Sequence, residues 1–238
     1  MAKRPNCCCR QSLRWAGGVA GGLAAAAAAY VLLLRPWLLR WGATRDEAAR
    51  GMPGDTLVRR ARLQSTHAVT IHAPAARVWA WLVQIGQGRG GFYSYDWLEN
   101  LAGLEIHSAT RIVPELQQLE AGDTVPVHQG QGLTVIAAEP PRLLALQANI
   151  DAFSGRLAPL DAPLAGAQFN TSWVFTLRDL GAGCTRLAAR FRADYLPRPA
   201  NALMARLLLE PAVFVMERRM LLGLKTRAER APRGSAAA

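Results

Sequence analysis

"TSWVFTLRDLGAGCTRLAARFRADY", Thr171 to Tyr195, reads as two strands and a turn. In the first strand Trp173, Phe175 and Leu177 alternate with Val174, Thr176 and Arg178. In the second, Leu187, Ala189, Phe191, Ala193 and Tyr195 alternate with Arg186, Ala188, Arg190, Arg192 and Asp194. A period of two with one apolar side is the pattern of antiparallel strands that face a core and turn their other side to water. "DLGAGC" between them supplies the turn. The inner face of this hairpin is aromatic and apolar, so another element must cover it.

The cover follows directly. A helix is expected from about Ala200 to Glu229, where Leu209, Val213, Met216, Met220 and Leu224 step by three or four along one stripe. Pro211 should kink this helix or mark its true start.

Upstream, Thr66 to His72 alternates as a strand, with His67, Val69 and Ile71 on one face. "APAARVWAWLVQIG" then places Val78, Trp81, Leu82 and Ile85 on one helix face, with Pro74 suited to the first turn. A second short helix is expected at about Ser94–Leu101. Short strands follow at Thr124–His128, Leu133–Ala138 and Leu143–Ala148, and a Pro/Gly/Ala-rich loop runs from Asp151 to Gly166.

"GQGRGG", Gly86 to Gly91, matches G-x-G-x-x-G. A dinucleotide loop must follow a strand and open a helix within a βαβ unit. This one follows a helix, so its glycines read as a helix C-cap and a turn.

The chain has 238 residues and a net charge of +11. The charge lies at the ends: residues 1–62 carry +8, residues 63–197 carry −2, and residues 198–238 carry +5. A nucleic-acid binder spreads basic residues over its folded face. Here they flank "WAGGVAGGLAAAAAAYVLLL", Trp15 to Leu34, twenty residues without a charge. Twenty helical residues match one hydrocarbon thickness. A single-pass anchor is expected, and nucleic-acid binding is not. The other reading is a secretory signal peptide, with the alanine run supplying small residues for cleavage. Gly17/Gly21 and Gly18/Gly22 form small-xxx-small pairs that would let two copies associate as a homodimer through the helix, although an Ala/Gly-rich segment also makes such pairs by chance. Four Lys/Arg on each side of the span leave its orientation, and the side of the folded domain, open.

The organisation therefore reads as a basic tail (1–14), a transmembrane anchor (15–40), a linker (41–62), a folded domain (63–230) and a short tail (231–238). In the linker, Thr44 and Glu47 have the spacing of a capping box. Cys7, Cys8 and Cys9 are adjacent and Cys184 stands alone, which fits neither a disulfide framework nor a zinc site. The histidines, His67, His72, His107 and His128, make no metal-ligand spacing. No metal or cofactor is expected.

The order of strand, two helices, antiparallel strands and long terminal helix resembles the helix-grip fold of the START-like, or SRPBCC, superfamily. "TIHAPAARVWAWL", "VIAAEPPRLLAL" and the opening hairpin are similar to its first strand and helix, its middle hairpin and its last strand pair. "WGAT", "PGD" and "GQGRGGFYSYDWLEN" resemble a bacterial, often membrane-anchored, polyketide-cyclase-like branch. The resemblance covers about residues 63–230. It implies an α+β fold, a location in a bacterial inner membrane, and an apolar cavity between a curved sheet and the last helix. It also implies a hydrophobic small molecule or lipid as ligand, and no shared catalytic residue.

On that reading the cavity is expected near Trp173, Phe175, Phe191, Tyr195 and Met216, with Arg89, Tyr93 and Tyr95 at its entrance. Those entrance residues would equally serve to pack the helices on the sheet. Asp96 and Glu99, three apart, are either an acid/base pair or a solvated helix face. The functional alternatives are a hydrophobic-ligand binding module, a cyclase- or dehydratase-like enzyme on the same fold, and a structural partner with a filled core.

Overall fold

The computed structural model describes residues 21, 22, 25, 28–101, 103–128, 131–151, 154 and 156–230. Outside these lie residues 15–20, 23, 24, 26 and 27 of the expected anchor (Gly17 and Gly18 among them), the cysteine triplet and the tail 231–238. The chain divides into two compact units at Leu38/Leu39. In the first, the described residues are helical, including a π-helical turn at Tyr30–Leu34 and an α-helical turn at Arg35–Leu38.

The second unit is an α+β fold of the helix-grip type. Its strands are β1 (Leu63–Ile71), β2 (Thr124–His128), β3 (Gln131–Glu139), β4 (Leu143–Asp151), β5 (Leu157–Ala158), β6 (Gln168–Gly181) and β7 (Cys184–Tyr195). They form one sheet in the order β1-β7-β6-β4-β3-β2, with β5 on β4, and every pairing is antiparallel. β5 lies within the stretch expected to be loop; two residues are too few to show a period. A terminal helix, Pro199–Glu229, packs across the inner face of this sheet.

The β6–β7 hairpin pairs Phe169 with Tyr195, Trp173 with Phe191, and Phe175 with Ala189. The row that reads as one apolar face in sequence passes through three environments. Phe175, Leu187 and Ala189 sit in the main core with Ile71, Val78, Leu82 and Leu224. Phe169, Ala193 and Tyr195 form a second cluster with Leu63 and Ala205. Trp173 and Phe191 lie between the two clusters and are only half-buried.

The terminal helix is continuous through Pro211. A π-helical turn, Ala205–Leu209, precedes the last α-helical segment, Glu210–Glu229, and Pro211 sits in that segment's first turn. The π-turn is the adjustment by which the helix admits a proline that cannot donate a hydrogen bond. Met220 and Leu224 of the apolar stripe are buried, whereas Leu203, Leu207 and Leu208 of the first half stay exposed. Among the described residues this is the one helix long and apolar enough to cross a membrane. A core helix meets that standard as well.

The helix after β1, Ala75–Leu82, has Pro74 at its N-cap position, one residue before the expected first-turn position and without a capping side-chain bond, and it buries Val78, Trp81 and Leu82. The second short helix is Asp96–Leu101.

The outer face of β7 is not left to solvent. Residues 44–58 fold over it, and its arginines hold them there. Arg190 is 1 % exposed. It donates to Thr66, to the Asp55 carboxylate at 2.8 Å, and to the carbonyls of Glu47, Ala48 and Arg50. Arg192 donates to the Val58 carbonyl, and Arg186 pairs with Glu47 at 2.6 Å. Glu47 also closes the capping box with Thr44 at the start of helix Arg45–Ala49. Residues 39–41 run along β1, where Thr66 and Ala68 donate to the carbonyls of Leu39 and Trp41. The guanidinium forks let a charged strand face be buried, because their donors are met by carbonyls and carboxylates of the covering segment.

Candidate functional site: a cavity between sheet and terminal helix

A cavity of about 330 Å³ opens at Trp173 and Phe191, where the hairpin's inner row is not closed by packing. Val213, Met216 and Met220 of the terminal helix form the facing wall. Phe92, Leu104 and Val127 close the sides. Ala212 and three residues with polar side chains, Ser94, Glu99 and Glu217, complete the lining.

Glu217 projects from the terminal helix and is 2 % exposed. Its Oε1 accepts from Trp173 Nε1–H, and its Oε2 is bonded to His67 Nδ1. His67 stands on β1 and is fully buried, its ring edge-on to Phe214 with centroids 5.8 Å apart. Three elements distant in sequence are thus tied together at the cavity wall.

Glu99 comes from the short helix Asp96–Leu101 and is 5 % exposed. Ser94 donates its hydroxyl to Oε1. Oε2 is buried and has no hydrogen-bond partner. Burial raises the pKa of this carboxyl above its ordinary value; the Ser94 hydrogen bond opposes the shift and the nearby Asp96 charge adds to it. Asp96 is held by the backbone and hydroxyl of Ser108 and does not line the cavity.

Of the residues singled out in the sequence, Trp173, Phe191 and Met216 line the cavity. Phe175 and Tyr195 lie in the packed clusters on either side. Arg89, Tyr93 and Tyr95 are not part of the lining. Arg89 donates to the carbonyls of Val83 and Leu116, each at 3.2 Å. Tyr93 is 2 % exposed, donates to the Trp81 carbonyl and accepts from Gln84. Its phenol is pushed up to about 12 by burial, and the Arg227 guanidinium lies 4.6 Å from its ring centre. Tyr95 lies under Arg219, at 5.6 Å.

The glycine-rich stretch is a closed turn. Gly86 and Gly91 exchange hydrogen bonds, Gln87 donates to Pro126, Arg89 to Gly86, and Gly90 to Gln84. A phosphate loop presents such amides to its ligand; here these five are engaged within the protein. Among the described residues, no three His, Cys, Asp or Glu side chains converge as metal ligands.

A larger groove of about 770 Å³ lies on the opposite face of the sheet, under the linker. Charged side chains, among them Glu47, Arg142, Arg178 and Arg186, line it, whereas the cavity is lined mainly by apolar ones.

No protein-family model matches the chain, and no curated protein matches it significantly. Solved structures similar to it include a conserved protein of Geobacillus kaustophilus, at 14 % identity over 70 % of this chain and 95 % of that one, with a TM-score of 0.39. A Mesorhizobium loti protein overlaps at 15 % identity, 70 % and 98 % coverage and a TM-score of 0.40. A Streptomyces aromatase/cyclase overlaps at 16 % identity, 74 % and 99 % coverage and a TM-score of 0.35. Likeness at this level says nothing of ligand or reaction. Those must come from the cavity.

Proposed function

We propose that this chain is a membrane-tethered module that binds a hydrophobic small molecule or a single-chain lipid between its sheet and its terminal helix. One observation carries the reading: an unfilled apolar space lies where Trp173 and Phe191 face Val213 and Met216. The third alternative, a structural partner with a filled core, requires these side chains to close on one another. At about 330 Å³ the space is at the low end of small-molecule sites, which run from roughly 300 to 1,000 Å³. That size favours a few fused rings or one short chain over a two-chain lipid. Burying roughly 200 Å² of apolar ligand surface would contribute about 5 kcal/mol before the costs of association.

Native mass spectrometry of detergent-extracted protein is the test. A carried apolar mass is expected in the parent chain, and its loss in Val213→Trp, which fills the cavity from its rim. Retention of the mass in that variant would overturn the reading. The tether rests on the uncharged Trp15–Leu34 stretch. The full chain should stay with membranes through a high-salt wash, because salt screens surface charge and leaves apolar burial intact. Release into the wash would remove the tether from the proposal.

A cyclase- or dehydratase-like activity is the second reading. What favours it is Glu99, a buried carboxyl with a raised pKa on the cavity wall, the kind of group that serves as a general acid.

A further inference from the structure

The first half of the terminal helix carries apolar side chains that the fold leaves in water. Leu203, Leu207 and Leu208 are each more than half exposed. Their neighbours Ala202, Met204, Ala205 and Leu209 pack in or on the second cluster. A single exposed leucine means little, but three within two turns of one helix make a patch. A groove of about 640 Å³ adjoins the start of the same helix. Arg60, Arg62, Arg198 and Arg206 line it, and no acidic residue among the described residues does. Arg62 is paired with Asp194. Arg60 and Arg198 are exposed and make no ion pair among the described residues.

The chain enters the folded unit at this place. Leu39, the first residue of that unit, packs on the same cluster as Met204 and Leu209. The uncharged Trp15–Leu34 stretch ends shortly before it in sequence. Exposed leucines beside unpaired arginines suit one partner chemistry, acyl chains beneath anionic headgroups. A second copy seated symmetrically on this patch would set like charges against each other.

We infer that residues 199–209, with the arginine groove beside them, dock the folded domain on an anionic bilayer surface, the leucines among the acyl chains and the arginines at the phosphates. The docking draws on the tether reading above for the place where the bilayer lies, and adds to it a second, lipid-selective contact. The cavity wall of Ala212, Val213 and Met216 begins about one turn beyond Leu208. A docked domain therefore holds its cavity next to the bilayer.

The test uses the full chain in vesicles, with its four cysteines replaced by serine and a fluorophore on Leu207→Cys. The control label is on Leu180→Cys, another exposed leucine, at the end of the β6–β7 hairpin away from Tyr195. Lipids with a nitroxide high on the acyl chain report contact by quenching. The Leu207 label should be quenched in vesicles of equal parts phosphatidylcholine and phosphatidylglycerol, and far less in phosphatidylcholine alone. The Leu180 label should be quenched in neither. Each arginine near an anionic surface shifts the docked-to-free ratio by about fivefold. Arg60→Gln with Arg198→Gln should therefore lower that ratio about twentyfold to thirtyfold. Leu203→Ser with Leu208→Ser should lower it as well. Equal quenching of the two labels would overturn the inference, as would Leu207 quenching that ignores the anionic lipid or the arginine pair. Energy transfer between Leu207-labelled copies without quenching would overturn it too, and assign the patch to a second copy. If a high-salt wash strips the chain from the vesicles, the tether falls. The docking is then read by the same Leu207 quenching at low salt, and no quenching there overturns it.

Discussion

His67 and Glu217 are 150 residues apart in the chain and in direct hydrogen-bond contact, an imidazole on β1 against a carboxyl on the terminal helix. Neither is more than 2 % exposed. The bond ties the terminal helix to the far edge of the sheet, and Trp173 ties the same carboxyl to the middle of it.

Breaking that link should be costly. His67→Leu leaves a buried carboxylate with one donor, and a loss of about 3–5 kcal/mol is expected for a buried pair deprived of a partner. Replacing both members, as His67→Leu with Glu217→Met, should cost clearly less than the sum of the single changes. Urea titrations of the four proteins close the double-mutant cycle, and a coupling above about 1 kcal/mol is expected.

Glu99 should act in the opposite sense. Its folded-state pKa is raised above 4.5, so the folded protein holds the proton more tightly than the unfolded chain. Its contribution is therefore most favourable below that value and is lost as pH rises through the folded pKa. Glu99→Gln should melt higher than the parent near neutral pH, and the gap should close in acid. Thermal melts across the pH range check both parts.

Glu47 is the mirror case. The Arg186 hydrogen bond is the leading cause that lowers its carboxyl from 4.5 to about 2. A depressed acid gives stability that is present above its unfolded value and lost as pH falls toward the folded one. The clasp of the linker on β7 should thus loosen between about pH 4.5 and pH 2. Limited proteolysis within residues 42–58 should speed up over that window. Glu47→Gln should cleave faster at neutral pH and show little further change in acid.

Gly223 has a packing role that helix propensity opposes. A Cβ there would overlap the carbonyl oxygen and Cβ of Tyr93, whose backbone is itself left-handed at φ 58°. Alanine gains about 1 kcal/mol of helix propensity over glycine, but displacing buried backbone costs about 1–3 kcal/mol or more. Gly223→Ala should lower the melting temperature, which a thermal shift assay measures.

Much of the fold could be read from alternation and from one helical stripe. The β6–β7 hairpin, the Ala75–Leu82 helix and the Thr44/Glu47 cap carry their periods and spacings within a few residues. The site was less legible, for a physical reason. A strand's apolar row says which side faces inward, but not where along it the covering helix stands away. Trp173 and Phe175 look alike in sequence, yet one lines a cavity and the other is fully buried in the core. The cavity's ionisable groups come from helices, so the apolar strand face of β7 did not announce them. A signal was present all the same. Glu217 interrupts the stripe between Met216 and Met220, and His67 interrupts the face shared with Val69 and Ile71. Two ionisable residues on apolar faces are candidates to be each other's partner. The arginines of β7 read as a solvated face because the residues that cover them, 44–58, carry little apolar pattern of their own.

The backbone bonds from Thr66 and Ala68 to Leu39 and Trp41 have a consequence for self-association. β1 and β2 are the two margins of the sheet. An unpaired margin is a template for strand addition by another copy. β2 carries Pro126, which has no N–H, and a register shift beside it. β1 has no such defence within its own sequence; residues 39–41 supply it by occupying two of its outward amides. A fragment that begins at residue 63 would bare that margin and is expected to associate strand to strand. A fragment that begins at Leu39 keeps the margin covered and is expected to remain dispersed at the same concentration, a contrast that light scattering reads directly.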